Sequence, residues 1–136
     1  MDAVQSVDAT AAGRVLKTCL IVDDSKVIRK VARRILEDLN FTAEEAVDGR
    51  DALEQCRKLQ PDLVLLDWNM PVMSGMDFLA ALPDAGLERR PLIVFCTTEN
   101  DLAHIRAALD AGADEYIMKP FDRDIIEAKL QQVGLL

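Results

Sequence analysis

The stretch Leu63-Val64-Leu65-Leu66-Asp67-Trp68-Asn69-Met70-Pro71 decides the fold. Its four leading residues are apolar without alternation, the pattern of a central parallel strand buried on both faces, and the run stops on a carboxylate followed by a turn. Upstream, Cys19-Leu20-Ile21-Val22 is a second apolar run, and it ends in Asp23-Asp24. Ser25 then suits the N-cap of a helix whose Ile28, Val31, Ala32, Ile35 and Leu39 fall at the offsets of one buried face. The other face carries Lys26, Arg29, Lys30, Arg33 and Arg34, read here as a solvated basic face. Phe41 to Ala46 is a weaker strand, and its polar Thr42 and Glu44 place it at a sheet edge. Asp48-Gly49 is a turn, after which Ala52, Leu53, Cys56 and Leu59 form a helical stripe closed by Pro61.

Downstream the alternation continues. Ser74 with Asp77 resembles a capping box that starts a short helix ended by Pro83. Leu92 to Cys96 is a fourth apolar run, stopping at Thr97-Thr98, and a helix from about Glu99 to Ala111 stops at Gly112. A fifth strand covers about Glu115 to Met118, and Lys119-Pro120 leads into a last helix from about Asp122 to Val133. Five strand–helix units in succession predict an α/β domain with a five-stranded parallel sheet and helices on both faces. In such a sheet the carboxyl ends of the strands lie along one edge, where ligands bind. The residues just beyond those ends are Asp23-Asp24, Asp67, Thr97 and Lys119, so topology alone gathers three carboxylates, a hydroxyl and an ammonium.

Carboxylates a few ångströms apart repel by up to about 4 kcal/mol per pair at an effective dielectric near 20. An oxygen-only set of Asp groups suits Mg²⁺, which prefers hard ligands and retained waters, and Lys119 suits anionic oxygens. The combination fits a phosphoryl group, with Asp67 as its natural acceptor at the end of the most apolar strand.

The 136 residues hold 24 acidic and 16 basic side chains, a net charge of -8. That length suits one domain, and the acidity disfavours nucleic acid and anionic membranes. No apolar stretch approaches the roughly 18 residues that span a bilayer, and no targeting segment opens the chain, so a cytoplasmic protein without membrane insertion is expected. Cys19, Cys56 and Cys96 have no paired spacing and are read as buried thiols. Residues 1–16, without periodicity, are read as a flexible leader ahead of a domain over 17–136.

Taken together, Leu20-Ile21-Val22-Asp23-Asp24-Ser25, Asp67-Trp68-Asn69-Met70-Pro71 with Gly75, Thr97 and Lys119-Pro120-Phe121 resemble the receiver domain of bacterial two-component response regulators. The resemblance runs from about Lys17 to Val133 and keeps the family separation of 52 residues between Asp67 and Lys119. It implies a flavodoxin-like (βα)5 fold of strand order 2-1-3-4-5. It also implies that Asp67 accepts a phosphoryl group from a sensor histidine kinase. Asp24, Asp67 and the backbone carbonyl of Asn69 would ligate Mg²⁺ directly, Asp23 through a water. Lys119 and Thr97 would contact phosphoryl oxygens, Thr97 drawing inward while Tyr116 rotates to burial. Trp68, Asn69, Glu99 and Tyr116 are similar to the stand-alone chemotaxis CheY type, in which the positions of Asn69 and Glu99 tune hydrolysis of the acyl phosphate. Ser74 departs from the common Asp before the Gly, and is read as a cap.

No residues follow Leu136 for an effector domain, so output is expected through docking. Ile105, Tyr116 and Lys129 correspond to partner-contact positions, and the expected partner is a flagellar motor switch protein. The competing signalling reading is a receiver that docks on a histidine kinase, or drains phosphoryl groups from it, without touching a motor. Catalytic turnover is not expected beyond self-phosphorylation and self-dephosphorylation. A Mg²⁺-dependent phosphatase of the haloacid dehalogenase kind would place an acid/base Asp two residues after its nucleophile, where this chain has Asn69. A flavin-binding module of the same fold gives no reason for the Asp and Lys119 set. Cys96 as a redox sensor competes poorly with a buried strand thiol.

Overall fold

A computed structural model describes residues 7–9, 12–13, 17–68, 70–98 and 102–136. The elements of the domain are β1 (Lys17–Val22), α1 (Lys26–Asp38), β2 (Phe41–Ala46), α2 (Gly49–Leu59), β3 (Leu63–Asp67), α3 (Gly75–Ala81), β4 (Leu92–Thr97), α4 (Leu102–Asp110), β5 (Glu115–Met118) and α5 (Arg123–Gln132). All strand pairs are parallel and the order is β2-β1-β3-β4-β5. Of the leader expected over residues 1–16, only Val7–Ala9 and Ala12–Gly13 are described, as two short extended segments paired with each other. The remainder lies outside the described residues, as do Asn69 and residues 99–101.

Period-two alternation divides each strand between two faces. Leu20, Val22, Val64, Leu66, Ile93 and Phe95 pack with α2, α3 and Ala108 of α4. Cys19, Ile21, Leu63, Leu65, Val94, Cys96 and Ile117 pack with α1 and α5 through Ala32, Leu36, Ile126 and Leu130. Strand β3 is buried along its whole length, as its unalternating sequence requires, and β2 lies at an edge with Thr42 exposed.

The helices start where cap chemistry dictates. Ser25 Oγ accepts from the Ile28 N–H at 3.3 Å, Asp48 from Asp51 at 2.9 Å and Asp122 from Ile125 at 2.9 Å. Ser74 and Asp77 form a reciprocal capping box, with bonds of 3.2 and 3.4 Å. Helix α2 closes at Gln60 in the left-handed region, φ 46°, and Pro61 follows. All three cysteines are buried free thiols. Burial pushes the Cys19 thiol up, that of Cys56 to about 11 and that of Cys96 to about 12, which disfavours a reactive thiolate at any of the three. No helix among the described residues is long and apolar enough to cross a membrane.

Helix α1 corrects two expectations. Val31 is exposed, and Leu36 takes the core position. The helix sits rotated so that its buried stripe runs through Ala32, Leu36 and Leu39, because Ala32 and Leu36 lie one turn apart against β1 and β2. The basic face is also not simply solvated. Arg29 Nε, Lys30 Nζ and Arg33 Nη1 reach Glu45 of β2 at 3.0, 2.9 and 2.8 Å, clamping the helix onto the edge strand. Burial alone would raise the Glu45 pKa, but its bonds to Lys30, Arg33 and Arg29 outweigh this and hold it down at about 2.

A carboxylate held below its unfolded value contributes stability above that value and loses it as pH falls through the folded one. Glu45→Gln is therefore expected to lower stability at pH 7 and to flatten the acid limb between about pH 4.5 and 2. Urea denaturation across that range checks both effects. An acid limb as steep as in the wild type would show that the clamp contributes nothing.

Candidate functional site

Parallel topology brings the ends of β1, β3, β4 and β5 to one edge, and hydrogen bonds between the following loops fix their heights. The Asp23 N–H donates to the Ala46 carbonyl at 3.1 Å, Trp68 N–H to Cys96 at 3.2 Å and Lys119 N–H to Thr97 at 2.8 Å. One oxygen from each of Asp23, Asp24 and Asp67 lies within 4.8 Å of the others. Asp23 and Asp67 are buried and Asp24 is exposed, so the trio opens to solvent on one side. Thr97 is buried at the end of β4, next to Asp67 through the pairing of Asp67 with Cys96.

Lys119 Nζ donates to Asp23 Oδ2 at 2.7 Å and to Asp67 Oδ1 at 2.9 Å. Asp23 is fixed twice more: its Oδ1 accepts the Ser25 N–H at 2.8 Å and its carbonyl accepts from Arg29 Nη1 at 2.8 Å. The Lys119–Pro120 peptide is cis. Burial pushes the Asp67 pKa up, Lys119 pulls it down, and the neighbouring Asp23 and Asp24 charges push it up further, leaving it above the ordinary value. Burial would lower the Lys119 pKa, but hydrogen bonds to Asp23 and Asp67 prevail and raise it. Two cation contacts thus serve three clustered carboxylates, and the excess negative charge fits a hard divalent cation such as Mg²⁺.

The Response regulator receiver domain profile matches residues 19–131. The chain belongs to the response regulator receiver family. It is 36% identical over 116 residues to the chemotaxis protein CheY of Pseudomonas aeruginosa, spanning 84% of this chain and 93% of that protein. It is 38% identical over 116 residues to CheY-3 of Vibrio cholerae, spanning 84% and 88%. The solved structure of Vibrio cholerae CheY4 superposes with a TM-score of 0.82 at 33% identity, covering 88% of this chain and 99% of that one. The receiver's fold, strand order and CheY-like character agree with the sequence reading.

The receiver's expected site residues are brought together unevenly. Asp23, Asp24, Asp67 and Lys119 converge, and Thr97 ends the neighbouring strand. Asn69 and Glu99 lie outside the described residues. Tyr116 is half-buried on β5, with Lys129 Nζ 5.2 Å from its ring centroid and 3.3 Å from Glu115 Oε1. Ile105 is buried, yet it lines a groove of about 390 Å³ with Leu102, Arg106, Leu109, Asp110 and Tyr116. Sequence reasoning missed Arg29, whose bond to the Asp23 carbonyl joins the basic helix face to the site. It missed the Glu115 partner of Lys129 as well. The signal for Arg29 was its place one turn after the Ser25 cap, pointing back toward the strand end.

Gly75 is required by close approach: a Cβ there would lie 2.5 Å from the Asp67 carbonyl oxygen. Because the obstacle is backbone, Gly75→Ala is expected to cost about 1–3 kcal/mol and to slow labelling of Asp67 by acetyl phosphate. Urea denaturation and a labelling time course check the two effects, and an unperturbed variant would mean that the backbone yields freely.

The pH dependence of Asp67 has the opposite sign to that of Glu45. A carboxyl raised above its unfolded value binds more protons when folded, so stability falls as pH rises from about the unfolded value near 3.8 through the folded one. Asp67→Asn is expected to raise Tm at pH 7 and to remove that decline. Mg²⁺ should raise the wild-type Tm by mass action and raise that of the variant less. Thermal scans at several pH values with and without Mg²⁺ test this, and a variant less stable than wild type at pH 7 refutes it.

Proposed function

We propose that this protein is a phosphorylation switch in which Asp67 takes a phosphoryl group from the phosphohistidine of a sensor histidine kinase. The observation that carries the proposal is the cluster of Asp23, Asp24 and Asp67 oxygens within 4.8 Å, with Lys119 bonded to two of them. A carboxylate oxygen of Asp67 attacks phosphorus, the P–N bond to the donor imidazole breaks, and the imidazole leaves with the electron pair. Asp23, Asp24 and Asp67, with the Asn69 carbonyl, would hold Mg²⁺, which when bound neutralises charge on the phosphoryl oxygens and the carboxylates. Lys119 stands where it meets an anionic oxygen without having to be ordered at the moment of transfer. Asn69 and Glu99 occupy the two positions that flank the acceptor in the receiver family and would set how fast water removes the phosphoryl group.

The added charge favours an arrangement with the Thr97 hydroxyl drawn toward the phosphoryl group and Tyr116 turned inward. The groove between α4 and Tyr116, with Ile105 in its floor and Lys129 beyond the ring, is the docking face in this reading. The partner is a flagellar motor switch protein, in keeping with the chemotaxis relatives, and the setting is the cytoplasm. The chain acts as a switch, with no substrate turned over apart from its own acyl phosphate.

Acetyl phosphate with Mg²⁺ is expected to label the wild type stoichiometrically and Asp67→Asn not at all, by intact mass. Sustained turnover of a phosphomonoester panel would instead indicate the phosphatase chemistry. Pull-down from cell extract with and without beryllofluoride should capture a motor switch protein only in the activated state. Activation-dependent capture of the histidine kinase alone would replace the motor reading with a receiver that docks on, or drains, its kinase.

A further inference from the structure

The chain has a single tryptophan and a single histidine, and the fold puts them in contact. Trp68 directly follows Asp67. Its ring meets Phe95 of β4 at a centroid distance of 5.1 Å and His104 of α4 at 5.6 Å, the latter edge to face with an interplanar angle of 85°. Among the described residues helix α4 buries Ile105 and Ala108, and its other side borders a groove of about 390 Å³. Leu102, Ile105, Arg106 and Leu109 share one face of α4 and look onto the groove beside Tyr116. His104 and Ala108, one turn apart, lie on the side that packs toward Trp68 and Phe95. The helix is thus fastened on the acceptor side and bordered by open volume on the other.

We infer that His104 is a positioning residue that couples the state of Asp67 to α4, through its edge contact with Trp68. The physical basis is direct. Trp68 is covalently attached to the acceptor, its N–H is tied to the Cys96 carbonyl at 3.2 Å, and its own carbonyl accepts the Gly75 N–H at 3.2 Å. A change at Asp67 therefore cannot be absorbed by a free Trp68 backbone and is passed to what the indole touches. Of its two ring neighbours, Phe95 is fully buried in a central strand, so His104, on a helix whose other side borders the groove, is the one with room to yield. This route runs beside the Thr97 and Tyr116 arrangement and rests on the receiver reading proposed above.

Beryllofluoride with Mg²⁺ supplies the test, with occupancy at Asp67 read by ¹⁹F NMR and the helix read by amide hydrogen exchange over residues 105–110. In the wild type both should respond. His104→Ala should keep the bound fluoride signal and reduce the exchange response of α4 by about two- to twelvefold, the range an aromatic pair supports. His104→Phe should restore it and His104→Gln should not. A full α4 response in His104→Ala, or equal responses in the Phe and Gln variants, overturns the inference. Should His104→Ala fail to fold, the Phe and Gln pair still decides. Absence of bound fluoride in the wild type would count against the receiver reading itself and not against the coupling, which is defined only where Asp67 is occupied.

Discussion

The double hydrogen bond of Lys119 to Asp23 and Asp67, at 2.7 and 2.9 Å, is the interaction on which the site depends. Without it two buried carboxylates would face each other at a few ångströms, and at least one would have to take up a proton to remain. With it both are held as hydrogen-bond acceptors, and the third, Asp24, stays exposed to water. The balance is deliberately incomplete in sign: one ammonium among three carboxylates leaves the cluster anionic. At about 4 kcal/mol per close pair in a half-solvated setting, that excess of charge suits a divalent cation.

Holding such a cluster requires a frame that does not yield. Its members come from loops far apart in the chain, with Lys119 at 96 residues from Asp23 and 52 from Asp67. Only pairing of the strands themselves can bring them into register, and the parallel order β2-β1-β3-β4-β5 does so with β3, the strand that ends in Asp67, in the middle. The second support lies on the α1 side. Arg29 bonds the Asp23 carbonyl while also pairing with Glu45, so the edge strand, the first helix and the first acidic loop form one connected polar unit. A charge-assisted network of this kind is worth more than a single exposed pair, because no one side chain can leave without stranding the others.

The parts of this arrangement that were legible from sequence are those written in short-range patterns. Leu63 to Leu66 shows no alternation and is buried throughout, Thr42 and Glu44 mark the edge strand, and Ser25, Asp48 and Ser74 cap the helices that follow them. The convergence of Asp23, Asp24, Asp67 and Lys119 followed from topology, since parallel strands end on one edge. Side-chain partners did not follow. Val31 was read as core and Leu36 was overlooked, because on a helix with apolar residues on several sides the rotation is chosen by what it packs against, not by its own period. The basic face of α1 looked solvated because its partner, Glu45, lies on a neighbouring strand. The contact of Trp68 with His104 joins two elements through tertiary packing, and no spacing in the chain announces it.

The proposed switch sets an energy scale. Moving a two-state element from 1:99 to 99:1 requires about 5.5 kcal/mol of differential interaction, a sum that one phosphoryl group carrying close to two charges can supply when it meets Lys119 and a bound cation at contact distance. Helix α1 is tied to β2 by three ion pairs to Glu45, and α2 buries Gly49, Ala52, Leu53 and Cys56. In the proposed switch the element that would move is α4, which borders a groove of about 390 Å³. In that switch, a change of charge at Asp67 would reach the surface through α4, since a packed interior passes on a local shift instead of absorbing it.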